Sequence, residues 1–223
     1  MSNTVYYRGG VGDSASLAVF DRNGFQGVFP LLVRNTLGRK NCEIVMQSPI
    51  VSRMHGEIFW AMDRYWYVDM NSTNGTLLNG NWVEPCRRVP LETGDILQFD
   101  APQPNGRHPY WMCAVFSGES FSRKWEMMEL RQDMTEIRVG RSPDSDLRID
   151  DERISQDHCL LLCSDEGWAA MDRESTNGVF LNGNRLDRLR YMNPGDVLRM
   201  ADSYFVYLGD RLLYSLNRDE GRF

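Results

Sequence analysis

The chain has 223 residues, of which 42% are hydrophobic and 25% charged, and its net charge is -6 at pH 7. This length suits two ordinary domains, each large enough to bury its own core. Residues 1–118 contain 10 basic and 10 acidic residues, whereas residues 119–223 contain 15 and 21. The second half therefore carries the negative charge, which argues against nucleic acid or an anionic membrane as its partner, since phosphate groups are bound through clustered Lys and Arg.

Cysteine usage and hydropathy narrow the class of protein further. Five cysteines without metal-ligand spacing predict neither a disulfide framework nor a zinc site, and we expect a reducing, cytoplasmic location. No stretch holds 18 consecutive apolar residues, and the N-terminus lacks an apolar run of signal-peptide length. We therefore expect a soluble protein that needs no membrane, metal or cofactor.

Short apolar runs separated by turn residues follow one another along the chain. LAVF and GVFPLLV flank the turn DRNG, WYVDM precedes an Asn-Gly pair, and YWMCAVF follows a Pro-rich loop. No segment has a convincing helical period. Runs of this length and spacing predict an all-β fold built as antiparallel sandwiches.

The chain contains an internal repeat. VSRMHGEIF from Val51 returns as ISQDHCLLL from Ile154, and DMNSTNGTLLNG from Asp69 returns as DRESTNGVFLNG from Asp172. A repeat of this length indicates two copies of one domain. The predicted division is a flexible tail at 1–16, domain 1 at 17–116, a linker at 117–124, domain 2 at 125–209, and a C-terminal strand and tail at 210–223.

Each copy has the same order of short motifs: GR, SxxH, SxNG, NG and LxxGD. They fall at Gly38-Arg39, Ser52 to His55, Ser72 to Gly75, Asn79-Gly80 and Gly94-Asp95, and again at Gly140-Arg141, Ser155 to His158, Ser175 to Gly178, Asn182-Gly183 and Gly195-Asp196. This order resembles the forkhead-associated (FHA) domain, occurring in tandem. The resemblance implies two tandem antiparallel β-sandwiches of about eleven strands each, whose loops at one end bind a phosphothreonine peptide.

The chemistry of that ligand fits the residues that carry the resemblance. A phosphothreonine brings about -1.5 to -2 charges and three acceptor oxygens, so its site needs a permanently charged planar donor and short neutral donors. Arg39 and Ser52 supply these groups in domain 1, and Arg141 and Ser155 supply them in domain 2.

The resemblance assigns further residues around each phosphate site. Asn74 and Asn177 match the asparagine that holds the peptide backbone, through an amide that both donates and accepts. Thr73 and Thr176 match a further peptide-contacting position. The residues expected to support the sites without touching the ligand are Gly38, His55, Gly75, Gly140, His158 and Gly178. In the family the histidine braces a loop and does no acid or base work, so we expect no enzyme.

The two copies differ beside the binding serine. Arg53 follows Ser52, and arginine is a common choice there for holding the peptide backbone, whereas domain 2 has Gln156. Domain 2 also has Asp157, whose charge would repel phosphate, and its GR loop is one residue longer, so that Arg141 is expected to sit differently. We therefore expect domain 1 to be the stronger binder.

Two interpretations of the function remain open. The preferred one is a phosphothreonine-peptide-binding adaptor in Ser/Thr kinase signalling, whose partner is a threonine-phosphorylated protein, either a kinase or its substrate. The alternative is a phosphate-independent scaffold that assembles through its sheet faces or its C-terminal strand. A phosphorylated Thr4 in the N-terminal tail is a further candidate ligand, bound in cis by domain 1.

Overall fold

The structure is a computed structural model that describes residues 15–99, 110–118, 125–131 and 133–216. Within these ranges it contains 22 β-strands and no helix, which confirms the predicted all-β class. The strands form four sheets in two pairs, so that eleven strands build each of two sandwiches. Thr4, the loop at 101–109 and most of the predicted linker lie outside the described residues.

The first sandwich, domain 1, is built from strands in the first half of the chain. In chain order these are β1 (Ser16–Asp21), β2 (Gly24–Pro30), β3 (Arg34–Gly38), β4 (Ile44–Val45), β5 (Gly56–Ala61), β6 (Arg64–Asp69), β7 (Leu77–Leu78), β8 (Asn81–Trp82), β9 (Arg88–Pro90), β10 (Ile96–Gln98) and β11 (Met112–Ser117). One sheet has the order β2-β1-β11-β10-β7-β8 and the other has the order β4-β3-β5-β6-β9. The pairing of β3 with β4 is parallel, and the other pairs are antiparallel.

The second sandwich, domain 2, has the same two layers. Its strands are β12 (Glu126–Glu129), β13 (Glu136–Gly140), β14 (Leu147–Arg148), β15 (Cys159–Ser164), β16 (Gly167–Asp172), β17 (Phe180–Leu181), β18 (Asn184–Arg185), β19 (Arg190–Tyr191), β20 (Val197–Met200), β21 (Ser203–Tyr207) and β22 (Arg211–Ser215). They form a six-stranded sheet, β12-β22-β21-β20-β17-β18, and a five-stranded sheet, β14-β13-β15-β16-β19.

The last strand among the described residues, β22, has a different place from the one predicted. The sequence places it after domain 2, but β22 lies inside the six-stranded sheet between β12 and β21, where domain 1 has β1. The reason is burial on both faces: Leu212 is fully buried in the core of domain 2, and Leu213 on the opposite face is 7% exposed. The strand is thus a central part of its sheet.

The Asn-Gly and Gly-Asp motifs of each repeat serve the fold. The Asn79 amide donates to the Asp95 carboxylate at 2.7 Å and its carbonyl oxygen accepts from the Ile96 backbone at 3.0 Å. Asn182 makes the same two contacts in domain 2, with Asp196 at 2.7 Å and the Val197 backbone at 2.9 Å. These bonds tie the turn before β8 or β18 to the start of β10 or β20.

Each sandwich encloses its own apolar core, and a third core lies between them. In the six-stranded sheets successive side chains point to opposite faces, so one set enters the domain core and the other set faces the second domain. Leu17 and Val19 of β1 enter the core of domain 1, whereas Ala18 and Phe20 enter the third core. The buried members of this shared core are Ala18, Phe20, Ile96, Trp111, Cys113, Val115, Val197, Tyr204, Val206, Leu208 and Leu213.

The contacts across the shared core are reciprocal. The Tyr204 hydroxyl lies against Gly94, 3.0 Å from where a Cβ would stand, and the Trp111 ring lies 2.8 Å from the equivalent point at Gly195. Each Gly-Asp turn therefore receives an aromatic ring from the other domain. Glycine is favoured at both turns because φ is positive, at 95° and 96°. At Gly195 a side chain would also collide with the Trp111 ring.

Candidate functional site

Three loops of domain 1 meet at one end of the sandwich: those that follow β3, β4 and β6. Gly38, the last residue of β3, lies so close to the Arg53 carbonyl that a Cβ would collide with it. This approach lets the Arg39 backbone donate to the Ser52 carbonyl at 2.9 Å and the Lys40 backbone donate to the Arg53 carbonyl at 3.3 Å. The glycine therefore lets the loop bearing Arg39 lie directly against the loop bearing Ser52.

The phosphate-binding groups predicted for domain 1 lie on these adjacent loops. Arg39 is exposed and uses its Nε to donate to the Val51 carbonyl at 3.2 Å, which leaves its two terminal amino groups without a protein partner among the described residues. The Ser52 hydroxyl accepts from the Thr73 backbone at 2.9 Å and lies 3.3 Å from the Thr73 hydroxyl. The site thus presents a guanidinium and hydroxyls to solvent.

Two further predicted residues border this surface. Asn74 donates from its side-chain amide to the Ile50 carbonyl at 2.7 Å, so it fixes the loop while its second N–H and its carbonyl oxygen remain available. Arg53 is exposed, and Lys40, which the sequence analysis did not select, is exposed next to Arg39. Lys40 could have been found from its position after the GR motif, on the loop that crosses Arg53.

His55 braces the loops from inside. It is fully buried; its Nδ1 accepts from the Ser52 backbone at 3.1 Å, and its Nε2 lies 3.2 Å from both the Gly75 carbonyl and the Thr76 hydroxyl. Because Nδ1 accepts, the ring proton is assigned to Nε2, which donates to Gly75. Burial lowers the pKa of His55, so the ring is neutral and structural at pH 7.

Asp69 holds the third loop. Its carboxylate accepts from the Ser72 backbone, the Ser72 hydroxyl and the Thr76 hydroxyl, each at 2.7 Å. The Tyr67 hydroxyl lies 2.7 Å from the Thr76 hydroxyl, and burial raises the pKa of Tyr67. These buried residues were not predicted as part of the site, because no local pattern brings Tyr67 to Thr76.

Domain 2 repeats the hydrogen bonds that position the predicted binding residues of domain 1. The Arg141 backbone donates to the Ser155 carbonyl at 2.9 Å, and the Arg141 Nε donates to the Ile154 carbonyl at 3.1 Å. The Thr176 backbone donates to the Ser155 hydroxyl at 3.2 Å, and the Asn177 amide donates to the Arg153 carbonyl at 2.7 Å. Each bond has a direct counterpart in domain 1.

The support of the site also recurs in domain 2. His158 is buried, accepts from the Ser155 backbone at 2.9 Å and reaches the Gly178 carbonyl at 3.3 Å. Gly140 lies against the Gln156 carbonyl, where a Cβ would collide, and Gly178, like Gly75, has a positive φ. The same fold therefore positions both sets of predicted residues.

Two expectations about domain 2 need correction. The longer GR loop does not move Arg141, because the extra residue is taken up in a turn in which the Ser145 backbone donates to the Ser142 carbonyl at 3.1 Å. Asp157 is not a free carboxylate, since Arg173 donates to it from Nε at 3.0 Å. Its repulsion of a phosphate is therefore weaker than its sequence position suggests.

The Ser, His and Asp of each copy do not form a nucleophilic triad. In domain 1 the imidazole meets the backbone N–H of Ser52, while the hydroxyl of Ser52 faces Thr73. His55 Nε2 is 3.8 Å from the Asp69 carboxylate, on the side that braces Gly75. Within the described ranges, no group of three potential metal ligands was found and no helix is long and apolar enough to cross a membrane.

Comparison with known protein families agrees with this geometry. The family description "FHA domain" matches residues 35–100 and 137–201, which together make up more than half of the chain. The chain belongs to the FHA domain family. The matched ranges contain both sets of loops, so each sandwich is an FHA domain with its own candidate site.

Relatives of the tandem FHA chain are found among larger proteins. It is 31% identical over 88 residues to the probable E3 ubiquitin-protein ligase dma1 of Schizosaccharomyces pombe, covering 38% of this chain and 33% of that protein. It is 29% identical over 70 residues to the transcriptional regulatory protein EmbR of Mycobacterium tuberculosis, covering 31% of this chain and 18% of that protein. The chain thus spans a third or less of these curated relatives.

Solved FHA structures also resemble parts of the chain. The FhaA FHA domain complexed with the intracellular domain of Rv3910 is 26% identical, with a TM-score of 0.36, over 46% of this chain and 99% of that one. The N-terminal FHA domain of Saccharomyces cerevisiae Rad53p in complex with a phosphothreonine peptide is 22% identical, with a TM-score of 0.38, over 46% of this chain and 92% of that one.

The two buried histidines predict how stability depends on pH. Burial lowers the pKa of both His55 and His158 below the ordinary value near 6.5. The unfolded chain therefore binds protons that the native state does not, so the free energy of unfolding falls as pH decreases from about 7 to about 5. Each unit of pKa depression contributes about 1.4 kcal/mol per histidine.

Urea denaturation at several pH values, with NMR titration of the histidine ring protons, measures this effect. NMR separates the histidine contribution from that of Asp95 and Asp196, whose pKa is raised by burial and which act in the opposite direction. Resonances assigned to His55 and His158 that titrate at or above 6.5 in the native protein would contradict the prediction.

Proposed function

We propose that this chain is an adaptor that binds threonine-phosphorylated peptides through two FHA-type sites in Ser/Thr kinase signalling. The observation that supports this most is that Arg39 and Ser52 lie on adjacent, hydrogen-bonded loops, and that Arg141 and Ser155 are held in the same way in domain 2. A permanently charged planar donor next to short hydroxyl donors suits a dianionic phosphate. The partner is a threonine-phosphorylated protein, either a kinase or its substrate.

We propose that domain 1 is the stronger site. Arg39 and Arg141 are held alike, so the proposal rests on the residues that directly follow the binding arginine and the binding serine. Lys40 and Arg53 add two exposed positive charges in domain 1, whereas Ser142 and Gln156 are the matching neutral residues in domain 2. Extra positive charge near the ligand favours a phosphate in domain 1.

We also propose that neither copy has a catalytic role. Ser52 meets His55 through its backbone, and His55 is neutral and enclosed, so the hydroxyl has no general base beside it. The cytoplasmic location predicted from cysteine usage stays a prediction, as does the absence of nucleic acid and membrane partners.

The scaffold alternative has less support. The six-stranded sheets, which could serve as assembly faces, are packed against each other, and β22 is paired on both edges. The strand that the alternative relied on is thus paired within this chain, which leaves the outer five-stranded sheets as its surfaces for assembly.

The test is a fluorescence-anisotropy titration of the full chain with a phosphothreonine peptide library. The same peptides with unmodified threonine and with phosphoserine are the matched controls. We expect binding that requires the phosphate and prefers phosphothreonine. Equal binding of phosphorylated and unmodified peptides would reject the adaptor and favour the scaffold.

A further inference from the structure

The surface beside the phosphate-binding residues differs in character between the two domains. Domain 1 has exposed apolar side chains there: Met54 is 49% exposed, Met70 42% and Trp82 55%. The equivalent residues of domain 2 are all charged: Asp157, Arg173 and Arg185. The change at all three positions means that the two sites present different chemistry to the residues that flank a phosphothreonine.

The backbone shows that these positions are equivalent. Met70 donates from its backbone to the His55 carbonyl at 2.9 Å, and Arg173 donates to the His158 carbonyl at 3.0 Å. Met54 and Asp157 each stand two places after the binding serine. Trp82 and Arg185 are also equivalent, because each side chain packs against the same glycine of its repeat: Trp82 against Gly75 and Arg185 against Gly178.

In domain 2 the first two positions are joined by an ion pair. Arg173 Nε lies 3.0 Å from the Asp157 carboxylate, so the side chains at these places meet beside the site. In domain 1 both are methionine, a flexible thioether side chain that adapts to apolar surfaces of varied shape. The same place is therefore a salt bridge in one domain and an apolar surface in the other.

A cavity of about 380 Å³ lies next to the ion pair in domain 2. Its walls include Ser142 and Gln156, the residues that follow the phosphate-binding Arg141 and Ser155. The cavity therefore begins next to the residues predicted to bind the phosphate.

The charges in this cavity are not balanced. Its lining contains two arginines and three acidic residues. Arg138 pairs with Glu136 at 2.7 Å and Arg173 pairs with Asp157, whereas the carboxylate of Asp144 has no partner among the described residues. An unpaired carboxylate in a cavity favours a positively charged occupant.

We propose that the two sites select different residues beside the phosphothreonine, an inference that rests on the proposed function. Domain 1 binds an apolar side chain on Met54 and Met70, and domain 2 binds a lysine or arginine side chain in the cavity at Asp144. A partner with two phosphothreonines in different contexts then binds in one orientation, because each phosphate belongs to its own domain.

The test uses the full chain with one site silenced, since the domains share a core. In Arg141→Ala the measured binding is that of domain 1, and in Arg39→Ala it is that of domain 2. Phosphothreonine peptides carrying leucine, lysine, glutamate or alanine at each nearby position are titrated by anisotropy. We expect domain 1 to prefer leucine to lysine about tenfold at one flanking position, and domain 2 to prefer lysine to leucine by a similar factor.

Rim variants identify the residues responsible. The double variant Met54→Asp, Met70→Arg should remove the leucine preference of domain 1. The variant Asp144→Asn should remove the lysine preference of domain 2. Met62→Asp is the matched control, because Met62 is 79% exposed on the turn between β5 and β6. It should leave the leucine preference unchanged.

The outcomes separate the inference from the function on which it rests. Phosphate-dependent binding with the same flanking preference in both domains overturns the inference and leaves the adaptor intact. Preferences that persist in the rim variants also overturn it. Loss of phosphate dependence in every peptide removes the proposed function, and the inference with it.

Discussion

Replacing Arg39 with alanine should weaken the binding of a phosphothreonine peptide to domain 1 by roughly 100-fold or more. The two terminal amino groups of Arg39 have no protein partner among the described residues, so both are available to the phosphate. Each charge-assisted hydrogen bond contributes about 1.5 to 3 kcal/mol, and two are lost together. Anisotropy titrations of the full chain measure the loss, with the corresponding Arg141→Ala variant expected to lose less.

Two further variants make this result specific. Arg39→Lys keeps the charge but loses the planar donor pair, so it should recover only part of the affinity. Arg64→Ala removes an exposed arginine at the start of β6, outside the site loops, and should bind like the unchanged protein. A greater loss in Arg141→Ala than in Arg39→Ala would reverse the proposed ranking of the two domains.

Replacing Phe20 with alanine should lower the free energy of unfolding by about 3 to 5 kcal/mol, the usual cost of removing a buried phenylalanine side chain. Phe20 is fully buried in the shared core and packs edge to face on Trp125, with ring centroids 4.6 Å apart. Because Phe20 belongs to β1 and Trp125 directly precedes β12, the variant should destabilise both domains together. Calorimetry and urea denaturation should show one transition at a lower midpoint.

The matched control for this variant is Phe25→Ala. Phe25 belongs to the same aromatic cluster, with its ring 5.9 Å from that of Trp125, but it is 40% exposed. Its removal should cost clearly less stability. If the chain unfolded in two separate transitions and Phe20→Ala shifted only one of them, the shared core would not couple the two domains.

Local patterns predicted the strands, whereas the candidate site came from the resemblance to the FHA family. The Asn23-Gly24 turn does join β1 to β2, because turn chemistry acts within a few residues. The structure places Arg39 and Ser52 on adjacent loops, and their role in binding stays a prediction. The contact of Tyr67 with Thr76 and the ion pair of Asp157 with Arg173 join different strands and loops. No local pattern encodes them.

The packing of the two sandwiches has a signal in the sequence. LAVF and YFVYL are apolar at every position, whereas a strand with one face in water alternates between apolar and polar residues. Burial of both Phe205 and Val206, in different cores, accounts for that pattern. The position of β22 could not be found in this way, since it depends on which distant strand it pairs with.

The shared core also affects which separation between two phosphates in a partner would suit this protein. Two FHA domains on a flexible tether could reach phosphates over a range of separations. Two domains joined by a common apolar core instead hold their binding sites at one fixed distance. A doubly phosphorylated partner whose phosphothreonines match that length gains affinity from effective concentration, and one whose phosphates are too close together gains none. Under the proposed function, the spacing of two phosphorylation sites is then part of what determines binding to this chain.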